Sequence, residues 1–189
     1  MNSKHVKNIP NLLTVLRFIL TPICIYFLVD KDWRYLALLV FLIASITDFF
    51  DGYFARKYNV VSKVGSFLDP LADKFLVVGM FVSFFYLEEI VDVYILSMVI
   101  FRDVFVTILR ILMQSKGYTM ITSKLSKLKT TIQITVIILL FLGNHPSFVF
   151  GEIFLYYIAL GMSVLTLYTG FHYLFYNSKK IKVLLANES

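Results

Sequence analysis

The sequence has little charge and almost no cysteine. Of its 189 residues only 16% are charged, whereas 59% are hydrophobic, and the mean hydropathy is +0.79. A water-soluble domain needs a more polar surface, so this composition argues against a soluble protein and indicates an integral membrane protein. The one cysteine, Cys24, excludes an internal disulfide and a metal site built from thiolates. We interpret Cys24 as a packing residue.

Long apolar runs are abundant, and they lack the polar alternation of a membrane β-barrel. Several approach the ~20 residues that an α-helix needs to cross a bilayer. We therefore predict an all-α, polytopic membrane protein with six transmembrane helices. The run Leu12–Val29 follows Lys4 and Lys7 like a signal peptide, but it is long and lacks a small-residue cleavage site, so we expect a retained first span. The predicted spans cover residues 11–29, 34–55, 65–87, 92–113, 130–143 and 150–176.

Basic residues are distributed unevenly among the predicted helix ends. The connections "EEIVD" and "GNHPSFVFGE", after the third and fifth spans, contain neither Lys nor Arg. Because Lys and Arg accumulate in cytoplasmic loops, the pattern predicts that both termini and the second and fourth connections face the cytoplasm. The external connection "DKDWR" is the exception, since it contains Lys31 and Arg34.

No internal repeat, low-complexity segment or soluble second domain is recognisable, so residues 1–189 are predicted to form a single membrane domain. The net charge of +6 suits anionic lipid headgroups and phosphorylated substrates. The chain carries no nucleic-acid-binding motif.

Four aspartates lie between apolar segments in the stretch "ITDFFDGYFARKYNVVSKVGSFLDPLADK". Asp48 and Asp51 are three residues apart and Asp69 and Asp73 are four apart, so each pair shares a helix face. Clustered carboxylates repel one another and are costly near a membrane interior. Hard divalent cations, Mg²⁺ or Mn²⁺, are the expected occupants, and the number of carboxylates suggests two ions. Paired ions of this kind commonly serve phosphoryl chemistry.

Two other interpretations of these aspartates stay open. In the simpler one they form a polar helix boundary, with Asp51 paired with Arg56 or Asp73 paired with Lys74. In the other the protein is a divalent-cation transporter, since intramembrane aspartates also form ion pathways. A transporter predicts carboxylates near the middle of the membrane on broken helices, whereas these lie toward one side of it.

Eight positions in this stretch reproduce the pattern DxxDGxxAR, eight residues, GxxxDxxxD, which resembles the signature of the CDP-alcohol phosphatidyltransferase family. The positions are Asp48, Asp51, Gly52, Ala55, Arg56, Gly65, Asp69 and Asp73. The resemblance implies that Asp48, Asp51 and Asp69 bind the metals and that Asp73 is the general base and also touches a metal. It implies further a homodimer and a CDP-lipid site that includes Gly52, Arg56, Ser62, Asn11 and Thr14. Asn11 has an alternative explanation, a helix start directly after Pro10.

Three further stretches, "NIPNLLTVLR", "FRDVFVTILR" and "KLSKLKTTIQ", resemble the phosphatidylglycerophosphate synthases within that family. This resemblance implies transfer of a phosphatidyl group from CDP-diacylglycerol to glycerol 3-phosphate at the cytoplasmic side of the cell membrane. Arg110, Lys127 and Lys129 suit the dianionic phosphate of that acceptor. A basic cytoplasmic loop needs no substrate, however. A same-family synthase with another acceptor, such as a cardiolipin synthase that uses phosphatidylglycerol, is the alternative.

Two positions depart from that resemblance. Ser126 stands where Gly is usual, and Asp103 stands where Glu is common. Arg102, eight residues before Arg110, is predicted on roughly the same helix face and toward the protein interior. Its simpler explanation is an ion pair with Asp103 or Asp92, although Asp103, the next residue along the helix, points elsewhere.

Overall fold

The computed structural model describes residues 3–57, 63–88, 90–117, 124–143, 151–178 and 180–181; at 3–11, 31, 48–57, 63–70, 124, 126 and 127 the description is limited to the backbone. Within these ranges the chain is helical and contains no strand, which confirms the all-α prediction. A 3₁₀ turn, Lys31–Trp33, separates the first two α-helices. The helices are α1 (Ser3–Val29), α2 (Arg34–Lys57), α3 (Lys63–Leu87), α4 (Val93–Ser115), α5 (Lys124–Gly143) and α6 (Glu152–Tyr176).

The helix bounds follow the predicted spans with two differences. α2, α3, α4 and α6 begin and end within two residues of prediction, but α1 begins at Ser3 and α5 at Lys124, before their apolar runs. The prediction followed hydrophobicity, whereas helical hydrogen bonding continues into polar sequence beyond an apolar segment. Because Pro10 lies inside α1, the explanation of Asn11 as a helix start is wrong.

In the described part of the chain, two helical segments are long and apolar enough to cross a membrane. They are Leu12–Val29, within α1, and Glu152–Tyr176, which is α6. Arg34–Thr47 and Leu128–Gly143 are shorter apolar segments. This agrees with a membrane protein, and the six-span topology stays a prediction.

The chain divides into two compact units, unit 1 (Met1–Glu88) and unit 2 (Glu89–Ser189). In unit 1, α2 and α3 both pack against α1. The buried Cys24 Sγ lies 3.2 Å from the carbonyl oxygen of Ala37 on α2 and 3.4 Å from Met80 Sδ on α3. Cys24 therefore packs where the three helices of unit 1 meet.

Contacts along α1 and α3 show that these two helices run parallel. The rings of Phe18 and Phe75 have centroids 5.4 Å apart, and about one and a half turns later Cys24 lies beside Met80. An ion pair between Arg34 and Glu88 joins the beginning of α2 to the end of α3. The beginning of α1 therefore lies at the level of the beginning of α3.

In unit 2, α4 and α6 run parallel and α5 packs against α6. The hydroxyl of Tyr156 donates to Asp92 Oδ2 at 3.0 Å, which joins the beginnings of α4 and α6. Asp92 also caps α4, because its Oδ1 accepts a hydrogen bond from the Ile95 backbone at 2.8 Å. Further along, Arg102 of α4 lies against Gly170 of α6.

Candidate active site

The four signature aspartates lie on two helices of unit 1. Asp48 and Asp51 belong to the last part of α2, and Asp69 and Asp73 to the first part of α3. Because both segments are helical, the predicted spacing does place each pair on one helix face. The side chains of Asp48, Asp51 and Asp69 lie outside the described part of the chain, as does the side chain of Arg56. Ser62 falls outside the described residues.

Asp73 is described, and it is partly exposed. Its Oδ2 accepts an ion-paired hydrogen bond from Lys74 Nζ, so the pairing left open by the sequence is present. Both side chains keep some contact with solvent. Because water still reaches this pair and screens it, Lys74 holds the carboxylate less firmly than a fully buried partner would. Asp73 therefore remains available as a base or a ligand.

Among the described side chains, no group of three or more His, Cys, Asp or Glu residues could hold a metal ion. Three of the four predicted ligands are outside that part of the chain. The donor set itself fits Mg²⁺ or Mn²⁺, because it offers only carboxylate oxygens from two helices that pack against the same α1. The metal site stays a prediction.

Thr14 and Arg17 are fully buried in α1. Given the contact between Phe18 and Phe75, the parallel helices place Thr14 near the level of Leu71 on α3. Arg17 lies one turn further, close to the level of Asp73. No role was predicted for Arg17, although an arginine within the apolar run of α1 is a signal of function. The predicted nucleotide contacts of Asn11 and Thr14 stay predictions.

In unit 2, Arg102 is buried, as predicted for a charge that faces the protein interior. Of its two candidate partners, Asp103 is confirmed, because Arg102 Nη1 donates to Asp103 Oδ1 at 2.9 Å. Adjacent Cβ atoms do diverge on a helix, but the long arginine stem bends back. Gly170 makes room for this stem, since a Cβ built there would lie 2.7 Å from Arg102 Cγ.

Asp103 also receives two donors from α5. Lys129 Nζ donates to the same Oδ1, and Gln133 Nε2 donates to Oδ2 at 3.2 Å. We call Arg102, Asp103, Lys129 and Gln133 the Asp103 cluster; all four are buried. Neither Asp103 nor Gln133 was predicted to be a functional residue. A signal for Gln133 was present, because Lys129 and Gln133 stand four residues apart on one face of α5.

Arg110, predicted to bind the acceptor, is partly exposed. Its Cζ lies 5.6 Å from the ring centroid of Tyr173, a cation–π contact. Its Nε is buried and makes no hydrogen bond to any described residue. Since Arg102 contacts Gly170 and Arg110 contacts Tyr173, both arginines face α6, which confirms their predicted common face. The side chain of Lys127 lies outside the described part.

Comparisons with known proteins cover nearly the whole chain. The family model for CDP-alcohol phosphatidyltransferase matches residues 7–168. Three relatives share the name CDP-diacylglycerol–glycerol-3-phosphate 3-phosphatidyltransferase. The one from Rickettsia typhi is 37% identical over 175 residues, covering 89% of this chain and 96% of the relative. The one from Bacillus subtilis is 34% identical over 194 aligned residues, covering 93% and 97%. The one from Cereibacter sphaeroides is 42% identical over 142 residues, covering 72% and 64%. The chain therefore belongs to the CDP-alcohol phosphatidyltransferase family.

Proposed function

We propose that the chain transfers a phosphatidyl group from CDP-diacylglycerol to sn-glycerol 3-phosphate, giving phosphatidylglycerophosphate and CMP. The observation that carries this proposal is the alignment of relatives bearing the corresponding name, at 34% to 42% identity, over most of the chain. The signature on α2 and α3 supports a CDP-lipid donor. Arg110 and the Asp103 cluster supply positive charge for an acceptor that carries a phosphate.

Asp73 is the proposed general base. It accepts the proton of an acceptor hydroxyl, the hydroxyl oxygen bonds to the lipid-bearing phosphorus, and the bond from this phosphorus to the CMP oxygen breaks. Two observations support the assignment: Asp73 is partly exposed, and the ion pair that holds it is a weak one with a sequence neighbour. A fully buried carboxylate would lack access to the acceptor.

The donor site is proposed to use residues of unit 1. Asp48, Asp51, Asp69 and Asp73 would hold two divalent ions, Mg²⁺ or Mn²⁺. When bound, such ions supply positive charge against the diphosphate and the departing CMP. Arg56 adds a planar fork of donors that suits a diphosphate. The remaining proposed contacts to the CDP-lipid are Gly52, Ser62, Asn11 and Thr14.

The acceptor's phosphate is assigned to Arg110, Lys127 and Lys129. Arg110 is partly exposed and can reach a ligand directly. Lys129 is enclosed on Asp103, so its charge acts on a phosphate at short range through the protein rather than from an open surface. Lys127 stands two residues before it on α5.

We also propose a six-span topology in the cell membrane, with both termini and the active site on the cytoplasmic side, and a homodimer. The distribution of Lys and Arg supports the orientation. The substrates support the location, because the acyl chains stay in lipid while cytidine and glycerol 3-phosphate arrive from water.

The test is release of CMP from CDP-diacylglycerol by the purified protein with Mg²⁺ or Mn²⁺. Glycerol 3-phosphate, phosphatidylglycerol, serine and inositol are offered in parallel. We expect turnover with glycerol 3-phosphate alone, and none after chelation of the metal. Turnover with phosphatidylglycerol instead would identify a cardiolipin synthase. Metal flux in proteoliposomes without any CDP-lipid would favour a transporter.

A further inference from the structure

The Asp103 carboxylate accepts hydrogen bonds from side chains of two helices in unit 2. On α4 it accepts from the adjacent Arg102, and on α5 it accepts from Lys129 and Gln133. Its own side chain and that of Lys129 are completely enclosed. The first turns of α5, where the basic segment lies, are therefore fixed to the middle of α4 through one carboxylate.

Asp103 lies between two described cations. Arg102 and Lys129 are two cations on the same oxygen of one carboxylate, so these three side chains carry a net charge of +1. Two cations that close in a dry interior repel each other strongly unless an anion lies between them. Asp103 is thus needed to keep both cations where they are.

Two buried polar atoms of the cluster make no described hydrogen bond. Arg102 Nε and Gln133 Oε1 are buried and have no hydrogen-bond partner among the described residues. Purely structural networks seldom leave buried polar atoms without partners, because each one costs desolvation energy. Arg102 Nε is a donor of the kind that a site for an anionic ligand requires, whereas Gln133 Oε1 is an acceptor that suits a hydroxyl group.

We propose that Asp103 is the positioning residue of the acceptor's phosphate site. It holds the Lys129 ammonium and the Arg102 guanidinium at fixed places, from which their charges attract the phosphate of glycerol 3-phosphate. Gln133 orients the carboxylate through its second oxygen. This inference rests on the proposed function.

The experiment compares Asp103→Asn, Asp103→Glu and Asp92→Asn with the wild-type protein, measuring kcat and KM for each substrate by CMP release. For Asp103→Asn we expect the KM for glycerol 3-phosphate to rise about 10- to 100-fold, the usual cost of losing a hydrogen bond to a charged group. The KM for CDP-diacylglycerol should change less than about twofold, well within one tenfold step of affinity. Asp103→Glu keeps the charge and both acceptor oxygens, so it should retain most of the wild-type affinity for glycerol 3-phosphate.

Asp92→Asn is the matched control, because Asp92 caps the beginning of the same helix and asparagine also caps helices well. It should leave both KM values unchanged. A fall in the KM for glycerol 3-phosphate in Asp103→Asn would overturn the proposal, since it would mean that Asp103 only offsets positive charge. Equal effects on both substrates would overturn it too, because they would indicate a merely structural role.

If Asp103→Asn does not fold, Gln133→Met decides the matter. This variant keeps the ion pairs and removes only the hydrogen bond to Asp103 Oδ2. A selective rise in the KM for glycerol 3-phosphate supports the positioning role, and an unchanged KM contradicts it. Wild-type protein that releases no CMP with glycerol 3-phosphate refutes the proposed function and this inference together. Active wild type with unaffected variants refutes the inference alone.

Discussion

The two units of this protein each contain an aspartate–lysine ion pair, and the pairs differ in almost every physical respect. In unit 1, Asp73 and Lys74 are neighbours in sequence, with side chains that are 24% and 16% exposed. In unit 2, Asp103 and Lys129 are 26 residues apart on different helices, and both side chains are fully enclosed. The first pair joins sequence neighbours and keeps contact with solvent, whereas the second joins two helices and is shielded from solvent.

The difference in burial indicates different roles for the two ion pairs. A partly exposed pair is weaker than a buried one, because water competes with it and screens it, so its carboxylate can exchange Lys74 for a proton or a metal ion. A buried pair is costly to break, because removal of one partner leaves a charge without solvent. We therefore assign Asp73 to the reaction and Asp103 to the support of the site.

The largest effect is expected from removing the proposed base. Asp73→Asn should lower kcat by about 10²- to 10⁴-fold, the usual contribution of general base catalysis, because the amide cannot accept the proton. CMP release measures the loss, and circular dichroism of the purified variant shows whether the helices are retained. Near-normal turnover by a folded variant would exclude Asp73 as the base.

Lysine replacements compare the two pairs directly. Lys129→Met should destabilise the protein by about 3 kcal/mol or more, because Asp103 loses a buried partner, although Arg102 still contacts it. Lys74→Met should cost less, because its ion pair with Asp73 keeps contact with solvent. Thermal unfolding in detergent ranks the two variants. Equal losses of stability would mean that the buried pair is no stronger than the exposed one.

A smaller loss of stability than for Lys129→Met is expected at Gly170. A Cβ there would lie 2.7 Å from Arg102 Cγ, near the base of a buried side chain, so Gly170→Ala should destabilise by about 1–3 kcal/mol through overpacking. Gly161 of the same helix has no atom within 4 Å of a built Cβ. Gly161→Ala should therefore keep or slightly raise the unfolding temperature, since alanine favours helix. If both variants melt alike, the close approach of Arg102 to α6 is not important for stability.

The sequence by itself determined the helices and the local spacing of charges. Apolar runs gave four of the six helices to within two residues, and the spacing of Asp48, Asp51, Asp69 and Asp73 gave their common faces, since both depend on neighbours within a few turns. The family, too, could be identified from residues close in sequence around these aspartates. Such local patterns can be recognised without knowledge of the tertiary structure.

Only the tertiary structure decided which charges meet. Asp103 looked like a small departure from a family pattern, and it is the residue that joins α4 to α5. Arg17 had no assigned role, and it is fully buried near the level of Asp73. Arg102 bends onto its neighbour because Gly170, which is 68 positions away, leaves space for its stem. These contacts depend on the packing of helices that are distant in sequence, so no spacing within one helix predicts them.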